Sequence, residues 1–187
     1  MAREQVKRKK TAAPAEIPRG VLVKNGARVG DDAWRVLDDE AAVPADGDIV
    51  VSLARFKGER AALLARNGGR LGVVIAPGEA VEDIGEDSMR FSLVMVQFPV
   101  FRDGRGFTSA RLLRERYGYG GELRAVGEVL EDQIFFMLRC GFDAFEIIGS
   151  DPEAAFARAA KTFSAAYQAA TDGLLPVSAH RAGDGAG

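Results

Sequence analysis

Between residues 20 and 170 the apolar positions fall into short runs whose spacing switches repeatedly between the strand and the helix period. Val21-Leu22-Val23 and Ala27-Arg28-Val29 flank Asn25-Gly26, a dipeptide suited to a type I′ turn, and so predict a β-hairpin. After Trp34-Arg35-Val36-Leu37 and an acidic loop, residues 48–53 read as a buried strand. Residues 56–66 then read as a helix stopped by Asn67-Gly68-Gly69, where glycine supplies the left-handed conformation that ends helices. Residues 71–76 form the next predicted strand, ending at Pro77-Gly78. Residues 79–87 hold five acidic side chains and little to bury, which fits a surface loop or a short helix. Residues 91–97 are almost continuously apolar, as in a strand covered on both faces. A helix follows over 108–117, with Ala110, Leu113 and Tyr117 on one face. Then come a strand at 123–126, a helix at 131–139, a strand at 144–148 and a helix at 152–168 with an inward stripe of Phe156, Ala160, Phe163 and Tyr167.

This order predicts the α/β class: an N-terminal β-hairpin, then a mostly parallel sheet built from about five βα units with right-handed crossovers. Two closures fit, an open doubly wound sheet or a partial-barrel-like one. The chain is shorter than the roughly 250 residues of a full eight-unit barrel. Yet Cys140-Gly141-Phe142-Asp143-Ala144, a helix end running straight into a strand, is how barrel units often join. One α/β domain is expected over 20–170. A basic arm at 1–19, with Arg3, Lys7, Arg8, Lys9 and Lys10, and a tail at 171–187 are expected to be disordered.

Composition narrows the chemistry. A length of 187 residues with 47% hydrophobic and 28% charged residues is that of an ordinary globular domain, and a net charge of −2 favours neither nucleic acid nor an anionic membrane as partner. The basic start is followed by no apolar run, so neither a secretory signal nor a membrane anchor is expected and the cytoplasm is the expected compartment. A single cysteine, Cys140, and a single histidine, His180, exclude an internal disulfide, a cysteine cluster and a histidine-rich metal site within one chain. No cofactor motif is evident.

Candidate chemistry concentrates between residues 98 and 133, where six arginines and several glycines follow two predicted strands. In a parallel sheet, functional groups gather at the carboxyl ends of the strands. The first loop there offers Gly104 and Gly106 for close backbone approach, Thr108 and Ser109 as helix-start hydroxyls, and Arg105 as a charged fork: the ingredients of an anion site. Equally, Asp-Gly is a turn dipeptide and Thr or Ser before a helix is a cap. The loop matches neither a P-loop nor the GxGxxG fingerprint. In the second region Arg124 lies inside a strand pattern, which is costly unless it is paired; Glu128 and Asp132 are the nominated partners. If the two exits share a rim, Arg105 and Arg124 would clamp a small oxyanion such as sulfite, sulfate or phosphate. Asp103, Glu128 and Asp132 are the candidate general acids or bases if the chain is an enzyme in its own right. Cys140, at a helix carboxyl end beside Arg139, reads as a packed small residue rather than a reactive thiol.

The phrases DGRG, LRAVGEVLEDQ and RCGFDAFE resemble the core of a bacterial family of uncharacterised proteins, a domain of unknown function commonly encoded beside sulfite reductase in sulfate-assimilation operons, with similarity from about Val21 to Gln168. The resemblance implies an auxiliary role in assimilatory sulfite reduction, with sulfite reductase as partner, and similar proteins are often labelled oxidoreductases. It transfers no catalytic residue to this chain. The alternatives are a stand-alone enzyme acting on an anionic substrate and a purely structural interaction module.

Overall fold

The computed structural model describes residues 20–98 and 104–161. The expected N-terminal arm, the C-terminal tail and Asp103 therefore lie outside the described residues. A hairpin of β1 (Val21–Lys24) and β2 (Ala27–Arg28) turns at Asn25 and Gly26, whose φ of 51° and 82° are those of the expected type I′ turn. Next come β3 (Arg35–Val36), β4 (Ile49–Ser52), α1 (Leu53–Leu64) and β5 (Leu71–Ile75). They are followed by β6 (Leu93–Phe98), α2 (Arg105–Arg111), β7 (Glu122–Val129), α3 (Glu131–Arg139), β8 (Ala144–Ile147) and α4 (Pro152–Lys161).

Four of the expected βα units carry an α-helix; the fifth does not. The connection from β5 to β6 is made of two 3₁₀ segments, Val81–Asp83 and Gly85–Arg90. Its acidic residues explain how so polar a stretch is held. Lys57 and Arg60 of α1 pair with Asp83 and Asp87, while Val81 and Ile84 turn into the core.

All strands join one eight-stranded sheet in the order β2-β1-β8-β7-β6-β5-β4-β3, parallel from β3 to β8 and antiparallel where the hairpin joins β8. From β3 to β8 each strand lies beside its predecessor. Right-handed crossovers that always step the same way put every helix on the same face. The doubly wound alternative, which needs a reversal of strand order, is thereby excluded. Alternation along the strands agrees: Val51, Val73, Val94, Val96, Phe98, Ala125 and Phe145 pack with Leu53, Phe56, Ala110, Leu113, Ile134 and Met137 of the helices. The intervening residues Val50, Val74, Leu93, Met95 and Val126 form a second apolar layer with Trp34 on the other face.

Chain connectivity forces that second face to be concave. β2 and β3 are the two edges of the sheet, and only residues 29–34 join Arg28 to Arg35. Seven Cα steps reach at most about 25 Å. The edges of a flat eight-stranded sheet lie about 33 Å apart. The sheet must therefore curl into a half-barrel, with its helices outside and the 29–34 connector crossing its open side.

Two details depart from the expected pattern. In α4 the inward residues are Pro152, Ala155 and Ala159 with Phe156 half-buried, whereas Ala160 is exposed; Phe163 and Tyr167 lie outside the described residues. Phe156 packs against the Phe145 ring of β8, 5.6 Å away. The helix expected from Thr108 starts three residues earlier, at Arg105, and continues through a π-helical turn, Leu112–Arg116. Gly106 permits this early start, since a Cβ there would stand 2.5 Å from the Phe98 ring.

Candidate functional site

Carboxyl ends of β5 and β6 and the first turn of α2 enclose a small recess. It is lined by Ile75, Ala76, the Pro77-Gly78-Glu79 turn, Val96, Gln97, Arg105, Gly106 and Ser109. Each wall has a local cause. Pro77-Gly78 stops β5, and Gly78 at φ +86° turns the chain so that the Glu79 carboxylate accepts from the Ala76 N–H at 2.7 Å. Gly106 brings α2 onto Phe98, which sets Arg105 over the turn: a Cβ on Gly78 would lie 3.3 Å from Arg105 Nη1. The cavity measures about 10 Å³, room for roughly one water-sized group.

Electrostatically the recess is mixed. Gln97 borders it at the end of β6, but alternation along that strand turns its buried side chain, like those of Met95 and Val126, to the other face of the sheet. Burial raises the Glu79 carboxyl above its ordinary range, opposed by the Ala76 N–H and Lys57 and reinforced by Asp83 and Asp39. Glu79 was not among the candidates the sequence nominated, because it lay in an acidic run that read as surface. The signal available was its position directly after a Pro-Gly stop at the carboxyl end of a parallel strand.

The nominated residues distribute as follows. Arg105, Gly106 and Ser109 line the recess; Gly104 precedes the helix with open space where a side chain would stand, and Thr108 is exposed in the first turn. Because α2 begins at Arg105, Thr108 and Ser109 lie within the helix and do not cap it. Glu128 sits half-buried near the end of β7, and Asp132 is exposed on the first turn of α3.

Arg124 goes elsewhere. It is paired in register with Met95 on the concave face, near the amino end of β7, and its side chain is 1% exposed. The carboxylates around it come from Asp32 in the 29–34 connector (2.6 Å), Glu122 on its own strand (2.7 Å) and Glu146 on β8 (3.4 Å). Lys24 binds the second oxygen of Glu122 at 2.6 Å. Burial works against the guanidinium charge, but hydrogen bonds to Asp32 and Glu122 outweigh it and hold the proton above the usual arginine range. The structure does not bring Arg105 and Arg124 together: α2 packs on the convex, helix-covered face and Arg124 points into the concave one. No joint clamp is formed.

Arg114 and Arg111 are structural and solvated respectively. Arg114 donates to the carbonyls of Tyr119, Gly121 and Gly141 and to Asp143, and stacks 5.3 Å over the Tyr119 ring. Arg111 pairs along its helix with exposed Glu115. Burial raises both the Asp143 carboxyl and, strongly, the Tyr119 hydroxyl. Asp143 also accepts from the Leu123 N–H, so this cluster ties the loop before β7 to the start of β8.

Residues 72–178 match the family described as bacterial protein of unknown function (DUF934). The match spans more than half of the chain. The chain belongs to this family. Matched residues run from β5 onward and so contain the whole recess, Arg124, Glu122 and Glu146. Asp32 and the hairpin fall before it, and the match begins later than the resemblance at Val21 had suggested. The three phrases that carried the resemblance to the family now have physical readings. The Gly104-Arg105-Gly106 part of DGRG starts α2 against Phe98, LRAVGEVLEDQ builds β7 and enters α3, and RCGFDAFE ends α3, places Asp143 and continues into β8. No curated protein matches the chain. Among the described residues no group of His, Cys, Asp or Glu has the arrangement of a metal site, and no helix is long and apolar enough to cross a membrane.

Proposed function

We propose that the chain is an oxyanion-binding accessory protein of sulfite reduction, acting with the reductase, and that the recess between β5, β6 and α2 is its binding site. The observation that supports this most is the convergence of Arg105, Gly106 and Ser109 with the Pro77-Gly78-Glu79 turn at the carboxyl ends of two adjacent parallel strands. Arginine supplies the planar donor fork that suits sulfite or sulfate, and the serine hydroxyl adds a neutral donor. The link to sulfite reduction comes from the family resemblance. Arg124, committed to three carboxylates, has no part in binding.

The test is direct. Titration calorimetry with sulfate and sulfite should give saturable binding to the wild-type chain. The Arg105→Ala chain should bind at least tenfold more weakly while keeping its circular dichroism spectrum. In cells, the same variant should impair growth on sulfite, and the chain should co-purify with the reductase. Binding that survives Arg105→Ala unchanged removes the site, and growth on sulfite that does not depend on the protein removes the pathway.

A further inference from the structure

We infer that the recess takes up its oxyanion together with one proton, which the Glu79 carboxyl holds and donates as a hydrogen bond to the anion; this rests on the oxyanion reading above. Glu79 borders the same cavity as Arg105, Gln97 and Ser109. Its Oε2 is fixed by the Ala76 N–H at 2.7 Å, and the Gly78 backbone at φ +86° fixes the turn that carries it, so its position is set before any ligand arrives. An ionised carboxylate beside a bound anion repels it. The protonated acid instead offers a donor, complementing the guanidinium. Burial already favours the protonated form.

Several elements place charge around Glu79: Arg105 of α2 lines the same recess, and Lys57 from α1, Asp83 from the first 3₁₀ segment and Asp39 from the loop before β4 act on its carboxyl. The two aspartates reinforce proton retention, whereas Lys57 opposes it. A second anion in this setting raises the Glu79 pKa further. By linkage, anion affinity must then fall as pH rises above the Glu79 pKa of the free protein, by up to about tenfold per pH unit for one coupled proton.

Sulfate is the appropriate probe, because its own charge is constant from pH 4.5 to 8. Calorimetric affinities across that range should show the sloping profile in the wild-type chain and a flat one in Glu79→Gln, whose amide keeps the acceptor for Ala76 and mimics the protonated acid. Asp83→Asn should keep a slope. A flat wild-type profile, a slope that persists in Glu79→Gln, or one abolished by Asp83→Asn overturns the proton coupling while leaving the oxyanion site standing. Absence of sulfate binding at every pH, or binding indifferent to Arg105→Ala, overturns the site itself. Unchanged circular dichroism of each variant separates these outcomes from misfolding.

Discussion

Arg124 shows how one buried charge can be a matter of architecture. Its guanidinium is surrounded by Asp32, Glu122 and Glu146 inside the curled sheet, and Lys24 takes the second oxygen of Glu122. A buried ion pair adds little stability over an apolar replacement, but removing one partner leaves uncompensated charge. Arg124→Met should therefore destabilise the chain by about 3–5 kcal/mol, seen as a lower urea midpoint with an unchanged slope. An unaltered midpoint would mean that the carboxylates are satisfied by other groups. The sequence correctly marked Arg124 as a strand charge in need of a partner. It named Glu128 and Asp132 in place of the carboxylates found: Glu122 lies two residues before Arg124 on the same strand face, whereas Asp32 is 92 residues away in the chain and approaches only once the sheet has curled.

At the scale of elements, β7 carries the decisive irregularity. Between Ala125 and Val129 it places four residue steps opposite two on β8, and Gly127 sits in the bulge at φ +95°. A Cβ there would stand 2.4 Å from the Phe98 carbonyl oxygen, so both the dihedral and the contact require glycine. Gly127→Ala should cost about 3 kcal/mol or more, combining left-handed strain with overpacking. Thermal unfolding followed by circular dichroism would read the loss, and a shift of less than about 2 °C would contradict the account. Element identities were mostly legible in the sequence, since the hairpin, the strands and the helices each follow from periodicity and turn residues. Boundaries at α2 were not, because its start depends on how closely Gly106 can approach a ring from the preceding strand.

For the whole molecule, the connector at 29–34 both demands curvature and closes it. Asp32 reaches Arg124 across the concave face, and Trp34 then packs into the inner apolar layer with Arg70 4.8 Å above its ring. Trp34 is the single tryptophan and is 8% exposed, so its fluorescence reports closure. In the wild-type chain the fluorescence and far-ultraviolet circular dichroism transitions in urea should coincide, because connector and sheet share one core. In Asp32→Asn, which weakens the charged anchor, the fluorescence transition should come first, as local opening separates from global unfolding. Coincident curves in the variant would show that Asp32 is dispensable for closure.

Periodicity, turn dipeptides and composition by themselves determined the α/β class, the hairpin and most of the succession of strands and helices, and showed the concentration of arginines and glycines after β6. These are local properties, set by which side chains recur every two or every three to four residues and by where glycine and proline interrupt them. Strand order, the single face that carries all helices, and hence the half-barrel were decided only in three dimensions. They depend on which strands pair and on a connector too short to span a flat sheet. Separation of Arg105 from Arg124 follows from the single helix-bearing face: α2 carries Arg105 on that face, and alternation along β7 turns Arg124 to the other. Glu79 joins the recess for a tertiary reason: only when β5 lies beside β6 does an acidic residue after a Pro-Gly turn come to line the same cavity as the arginine that begins α2.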